Sequence, residues 1–212
     1  KGLINMIDNI NFKLRGEFYV DAVKDGVVVD HYEDKNLVVD GARAIIASLL
    51  SGINKPVSLN KLSLGTMGYN ESFDKFVPKI VGGTYQIGPN STVFDATRPM
   101  LFCQEYEIDT LDLNFETLGN EDVQQVVPLN ASYGTGDIET NSSTATVTCT
   151  CNSIVYKFEI EQGVGHGAGE SSVMAYTEAG LFADNILFAI KTFPAKVKDS
   201  ATKFIITWKI FT

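Results

Sequence analysis

The sequence predicts an all-β fold with minor α content: an antiparallel, jelly-roll-like β-sandwich with one short helix after an N-terminal hairpin. Three observations lead there. Apolar and polar residues alternate over many short stretches, Gly, Asn, Asp and Pro turn signals separate those stretches at close spacing, and only one segment has both the composition and the end signals of a helix. The Cys…Trp…Cys order of immunoglobulin domains is missing, which leaves a jelly roll or another Greek-key sandwich. The 212 residues are 44% hydrophobic and 20% charged, a composition that suits a folded domain rather than a disordered chain. A chain of this length buries roughly 70% of its unfolded surface, so it needs neither metal nor disulfides to supplement its core.

In chain order, Leu3, Met6, Ile7 and Ile10 follow helical spacing and form one apolar stripe. So short a helix is marginal alone, so residues 1–11 read as a docking arm and 12–212 as a single domain. Leu14, Phe18, Val20 and Ala22 then alternate with polar or small residues up to Asp25-Gly26, and Val27 and Val29 follow, which is a strong hairpin signal. Asp40 can cap a helix over Ala42 to Leu50, with Gly52 placed to end it. Lys61 to Gly65 reads as a short strand. Residues 66–98 form a long loop rich in Gly, Asn, Pro and aromatics, of the kind used for binding or assembly. Strands resume over Met100–Phe115, Val123–Ala131, Ala145–Cys151, Ile154–Gln162, Val173–Phe182, Ile186–Phe193 and Phe204–Phe211. In the last of these Phe204, Ile206, Trp208 and Ile210 share one face.

Charge narrows the partners. Seventeen Lys and Arg against 26 Asp and Glu give a net charge of -9, a field that repels phosphate backbones and excludes nucleic acid as a partner. No apolar run reaches the ~18 residues of a membrane span, and no basic-then-apolar leader opens the sequence. The expectation is a soluble chain with no export signal and no membrane partner.

Reactive residues are sparse. Three cysteines in a chain of this size point to a reducing compartment, with Cys149 and Cys151 on one strand face as free thiols. Cys103, Cys149, Cys151 and His166 lack zinc-ligand spacing. His31, between Asp30 and Tyr32, reads as a solvated surface histidine. His166 lies in a glycine-rich run, 163–169, that leads into a strand; a phosphate-cradling loop must open a helix. Glu105 with Glu107, and Glu159 with Glu161, share strand faces and read as solvated edge charges that discourage stray strand pairing. Neither a hydrolase elbow nor a Walker loop is present. The expectation is no catalytic residue, no cofactor and no metal. Most Phe residues and Trp208 fall at alternating strand positions suited to a core. Tyr69, Phe73, Phe76 and Tyr85 are the exceptions, clustered in the irregular segment where no core period assigns them. With the Leu3, Met6, Ile7 and Ile10 stripe they form the candidate interface.

Three stretches carry a resemblance. They are Gly16-Glu17-Phe18 through Lys35-Asn36-Leu37-Val38-Val39-Asp40-Gly41-Ala42-Arg43; Leu62-Ser63-Leu64-Gly65-Thr66; and Thr177-Glu178-Ala179-Gly180-Leu181-Phe182 followed by Leu187 to Pro194 and the closing strand with Trp208. Together they cover under half of the chain, and they resemble tailed-bacteriophage virion structural proteins of the neck or collar, baseplate or head. Where related sequences carry a tight Gly-Thr-Gly turn, this one reads Gly65-Thr66-Met67-Gly68 and then a long insertion. The resemblance implies a non-enzymatic virion part that assembles in multiple copies, without fixing its station; the leading expectation is the head–tail neck or collar, with assembly in the host cytoplasm. Its partners would be other copies of itself and portal, connector, tail or capsid proteins. Two alternatives stand beside it: a baseplate or capsid decoration subunit, and a tail-fibre receptor- or glycan-binding module.

Overall fold

The computed structural model describes residues 14–38, 40–51, 59–65, 80–81, 84–85, 104–108, 123–132, 143–150, 152–166, 171, 173–183 and 186–211. The chain opens with β1 (Arg15–Lys24) and β2 (Val27–Val38), followed by α1 (Asp40–Ser51) and β3 (Lys61–Gly65). Two short strands, β4 (Ile80–Val81) and β5 (Thr84–Tyr85), pair with each other. Then come β6 (Gln104–Ile108), β7 (Val123–Ser132), β8 (Thr144–Cys149), β9 (Ser153–Ile160), β10 (Met174–Ala183), β11 (Ile186–Lys198) and β12 (Lys203–Phe211).

The all-β, antiparallel, sandwich-like fold with one short helix is present, and its two sheets meet at both corners. The ladder runs full circle in the order β1-β12-β9-β8-β7-β6-β3-β10-β11-β2. Two strands make the corners by dividing their length between sheets, the device that joins orthogonal sheets. β7 pairs with β8 from Val123 to Pro128 and with β6 from Leu129 to Ser132. Pro128 has no N–H to offer a ladder, so the changeover falls where the backbone is already short of a donor. β2 pairs with β1 along Val27–Asn36 and with β11 only through Leu37 and Val38.

The hairpin at Asp25-Gly26 forms as the sequence predicts, with φ of 51° and 77° at the two residues. A two-residue turn with both φ positive has the twist that antiparallel strands need, and glycine adopts it without strain. β11 runs further than expected. Its ladder to β10 jumps from Tyr176↔Lys196 to Glu178↔Thr192, leaving Phe193, Pro194 and Ala195 opposite Thr177 alone. A bulge tolerates the proline, so the strand survives a residue that would end a regular ladder.

Sheet alternation fills the interior with aromatics. Phe18, Tyr156, Phe158, Tyr176, Phe193, Phe204, Ile206, Trp208 and Ile210 are all buried. Phe18 stacks on Phe193 at 5.3 Å between ring centroids, and Tyr176 meets Phe204 edge to face at 6.1 Å. Cys149 belongs to this core as a free thiol, as the sequence predicts. In β3 and the end of β10, residues are buried on both faces, including Lys61, Ser63, Thr177 and Glu178. Continuous burial rather than alternation marks strands covered on both sides. The helix packs on β11 and buries Ala42 and Ile45, whereas Leu49 and Leu50 stay exposed.

Candidate assembly surface

Leu3, Met6, Ile7, Ile10, Tyr69, Phe73 and Phe76 lie outside the described residues. Of Tyr85, the backbone is described: it sits in β5 opposite Ile80. Besides Leu49 and Leu50 of α1, the structure locates its exposed large apolar residues, among those described, at one end of the strand ring. Val27, Val28 and Val29 are 63%, 52% and 57% exposed, and Val173 and Val197, beside the neighbouring ends of β10 and β11, are 60% and 53% exposed.

Three consecutive exposed residues break strand alternation, and the register shows how. Ala22 pairs with Asp30 and Val23 with Val28, so Val29 has no cross-strand partner on β1. This bulge sharpens the local twist and turns side chains on both faces of the tip toward solvent. The tip is clamped to the β11–β12 turn by Lys24, whose Nζ lies 2.7 Å from Asp199 Oδ2. Hydrogen bonds from Lys24 and from the Thr202 hydroxyl hold the Asp199 carboxyl down at about 2. Opposite charge and donated hydrogen bonds favour the ionised form.

Behind the clamp, Lys198 is fully buried and donates to the carbonyls of Glu161, at 2.9 Å, and Thr202, at 2.5 Å. Burial pulls its ammonium down to about 8, against the opposing pull of Asp199 and Glu161. The Gly163 amide donates to the Ser200 carbonyl, and the Tyr176 hydroxyl to the Gly165 carbonyl. This end of the ring is therefore braced by side chains and loop backbone bonded to one another. His166 belongs to the same loop, and its Nδ1 is buried without a hydrogen-bond partner.

The outer face of β9, β12, β1 and β2 carries interleaved charges. Lys203 reaches Glu159 at 2.5 Å and Glu161 at 2.7 Å, and Lys157 also meets Glu159 at 2.5 Å. Hydrogen bonds from Lys157 and Lys203 lower the Glu159 carboxyl. The expectation of an edge position is corrected for Glu159: β9 lies between β8 and β12, so it is a paired charge on the face of an interior strand, and Glu161, the residue after β9, pairs with Lys203. Glu105 and Glu107 sit on β6, likewise between two strands, with Ser63 and Lys61 as their register partners on β3. His31 is exposed, as the sequence predicts, with Nδ1 2.5 Å from Asp21 and Nε2 3.8 Å from Glu33. The Asp21 hydrogen bond leads the effects that raise its pKa. Among the described residues, no group of three or more His, Cys, Asp or Glu side chains is placed to hold a metal ion.

Sequence reasoning missed the valine end and the buried lysine. The valine run was readable as β-branched strand, but only the bulge turns it outward, and nothing in a one-dimensional pattern marks Lys198 as a buried lysine. Neither protein-family models, nor curated proteins, nor solved structures give a match to this chain.

Proposed function

We propose that this chain is a non-enzymatic structural subunit of a tailed-bacteriophage virion. It assembles in multiple copies through protein–protein contacts, at the head–tail neck or collar. The observation that carries the reading is the projecting Val27–Val29 tip, with Val173 and Val197 at the same end of the ring. These side chains contribute little to their own subunit, and each valine that a neighbour covers would stabilise an assembly by roughly 1 kcal/mol. The aromatic-filled interior supports the same reading, because it places the chain's contact chemistry on its outer surface. The resemblance of the hairpin, the short β3 strand and the β10–β12 region to virion proteins supports a virion part; the neck or collar is the station proposed first among neck, baseplate and head.

Multi-angle light scattering tests assembly on the chain and on a Val27→Ser/Val28→Ser/Val29→Ser variant. The parent should form a defined multimer and bind particles lacking the subunit, while the variant stays folded and monomeric. A parent that is strictly monomeric and leaves such particles unbound overturns the reading. Imaging of particles carrying a tagged subunit separates the neck from the baseplate and the capsid.

A further inference from the structure

One joint of the ring is scarcely closed by backbone. Among the described residues, β2 and β11 share two residue pairs, Ala189↔Val38 and Ile190↔Leu37, whereas β2 shares nine with β1, and β1 nine with β12. Two features part the strands beyond Leu37: β2 leaves its corner there, and β11 bulges at Phe193–Ala195, with Pro194 offering no N–H.

Side chains bridge the joint instead. Lys191 Nζ lies 2.6 Å from Asp34 Oδ2 and donates to the Lys35 carbonyl at 3.0 Å. Lys196 Nζ lies 2.6 Å from Asp30 Oδ1 and 3.5 Å from the His31 carbonyl. The Tyr32 ring centroid is 5.8 Å from each ammonium and 5.9 Å from the Phe193 ring. Two lysine ammoniums thus stand along β2 where the N–H groups of a neighbouring strand would stand. The lysine side chains are 15% and 9% exposed, their Asp34 and Asp30 partners 53% and 44%. Water and ions reach the carboxylate half of each pair, so these are bonds a competitor can displace.

We propose that the β2–β11 joint is a clasp that opens locally and lends the freed edge of β2, residues 27–36, to an extended strand from a second copy of this chain. A row of backbone N–H and C=O groups outside a ladder is a template for strand addition, and charged side chains laid along an edge are a common way to keep it covered. A second copy fits for two reasons. The edge runs without a break into the exposed Val27–Val29 tip, so apolar contact and strand addition belong to one stretch of chain. Opening the joint leaves Asp34 and Asp30 on β2 without their lysines, and β11 of a second copy carries the same Lys191 and Lys196, so exchanging that strand re-forms both pairs with no charge left over. The identity of the partner rests on the assembly reading; the opening of the joint does not.

The test combines native-state hydrogen exchange with light scattering on three forms: the parent, Lys191→Met/Lys196→Met, and an oxidised Val38→Cys/Ala189→Cys form that locks a register pair. Those amides of Leu37, Val38, Ala189 and Ile190 that point across the joint should exchange faster than those of the β1–β12 ladder. In the lysine variant they should exchange about tenfold faster still, the scale of two lost ion pairs, with the β1–β12 amides unchanged. The locked form should lose this local exchange and fail to associate while the parent associates. Uniform exchange across the ring, unaffected by either change, overturns the clasp even if the locked form misfolds, because the parent and the lysine variant decide that point. A folded, locked form that associates like the parent overturns the role of the edge and leaves the assembly reading standing. A parent that opens at the joint but never associates overturns the assembly reading and the partner with it.

Discussion

Phe18 and Trp208 are register partners across the β1–β12 ladder, and their rings meet edge to face at 4.8 Å between centroids. The pair sits on the wall of the aromatic core, with Phe193 stacked on the other side of Phe18. Truncating Phe18 to Ala should destabilise the fold by about 3–5 kcal/mol, the usual range for a buried phenylalanine. A double-mutant cycle with Trp208→Leu, followed by urea unfolding, should return a coupling of about 1 kcal/mol for the ring pair. Additive losses would show that the two rings stabilise the core independently.

Gly16 lies opposite Asn36 in the β1–β2 ladder, and a Cβ on Gly16 would fall 1.6 Å from Asn36 Oδ1. Gly16→Ala should therefore push the Asn36 side chain into another rotamer, at a cost of about 1 kcal/mol. The Asn36 amide is buried with neither its nitrogen nor its oxygen hydrogen-bonded, so its removal relieves an unmet polar group. The double variant Gly16→Ala/Asn36→Ala should be more stable than Gly16→Ala alone by denaturant titration. The reverse order would refute the steric reading.

Lys198 gives stability a distinct alkaline slope. Its ammonium titrates at about 8 in the fold against 10.5 for an ordinary lysine. Between those values the unfolded chain binds the extra proton, so this group makes stability rise with pH across the window. Below pH 8 its penalty is fully present, up to about 3 kcal/mol at roughly 1.4 kcal/mol per pH unit. Tyr19 and Tyr32, both pushed up to about 12, act oppositely: they are protonated in the fold after the unfolded chain has ionised, so their contribution is lost from pH 10 upward. Urea unfolding at pH 7.5, 8.5 and 9.5 should show the rise in the parent and a flatter profile in Lys198→Met. An unchanged profile in that variant would remove Lys198 as its source.

The β8–β9 turn depends on one hydroxyl. Thr150 Oγ1 accepts the Ser153 amide at 3.0 Å and lies 2.9 Å from the Ser153 hydroxyl, while the Thr150 amide donates to the Ser153 carbonyl at 2.8 Å. Thr150→Val keeps the shape and removes the acceptor, and should lower stability by about 1 kcal/mol. Thr150→Ser should recover most of it in thermal melts, because it restores the oxygen.

Much of the strand content was legible because its determinants are local. Asp25-Gly26 specified its own turn, the alternation of Phe204, Ile206, Trp208 and Ile210 specified its own buried face, and Lys61–Gly65 was bounded by residues that favour turns. The missed features are contacts between segments distant in sequence. Pro194 reads as a strand end until a bulge opposite Thr177 accommodates it. Glu159 reads as an edge charge until β12 is placed beside it. Lys191 and Lys196 find their partners only once β2 is folded alongside, with Asp34 and Asp30 more than 150 positions earlier in the chain.

A circle of paired strands has a consequence that an open sheet escapes. Its total stagger is a single fixed number, so a one-residue slip in any ladder must be repaid by an equal slip in another before the circle can close. The many-pair ladders resist such a change, because it would turn their buried rings toward water. The deficit then falls on the shortest seam, and a residue inserted into β1 or β12 would be felt first where Val38 meets Ala189, one strand away from β1 and two from β12.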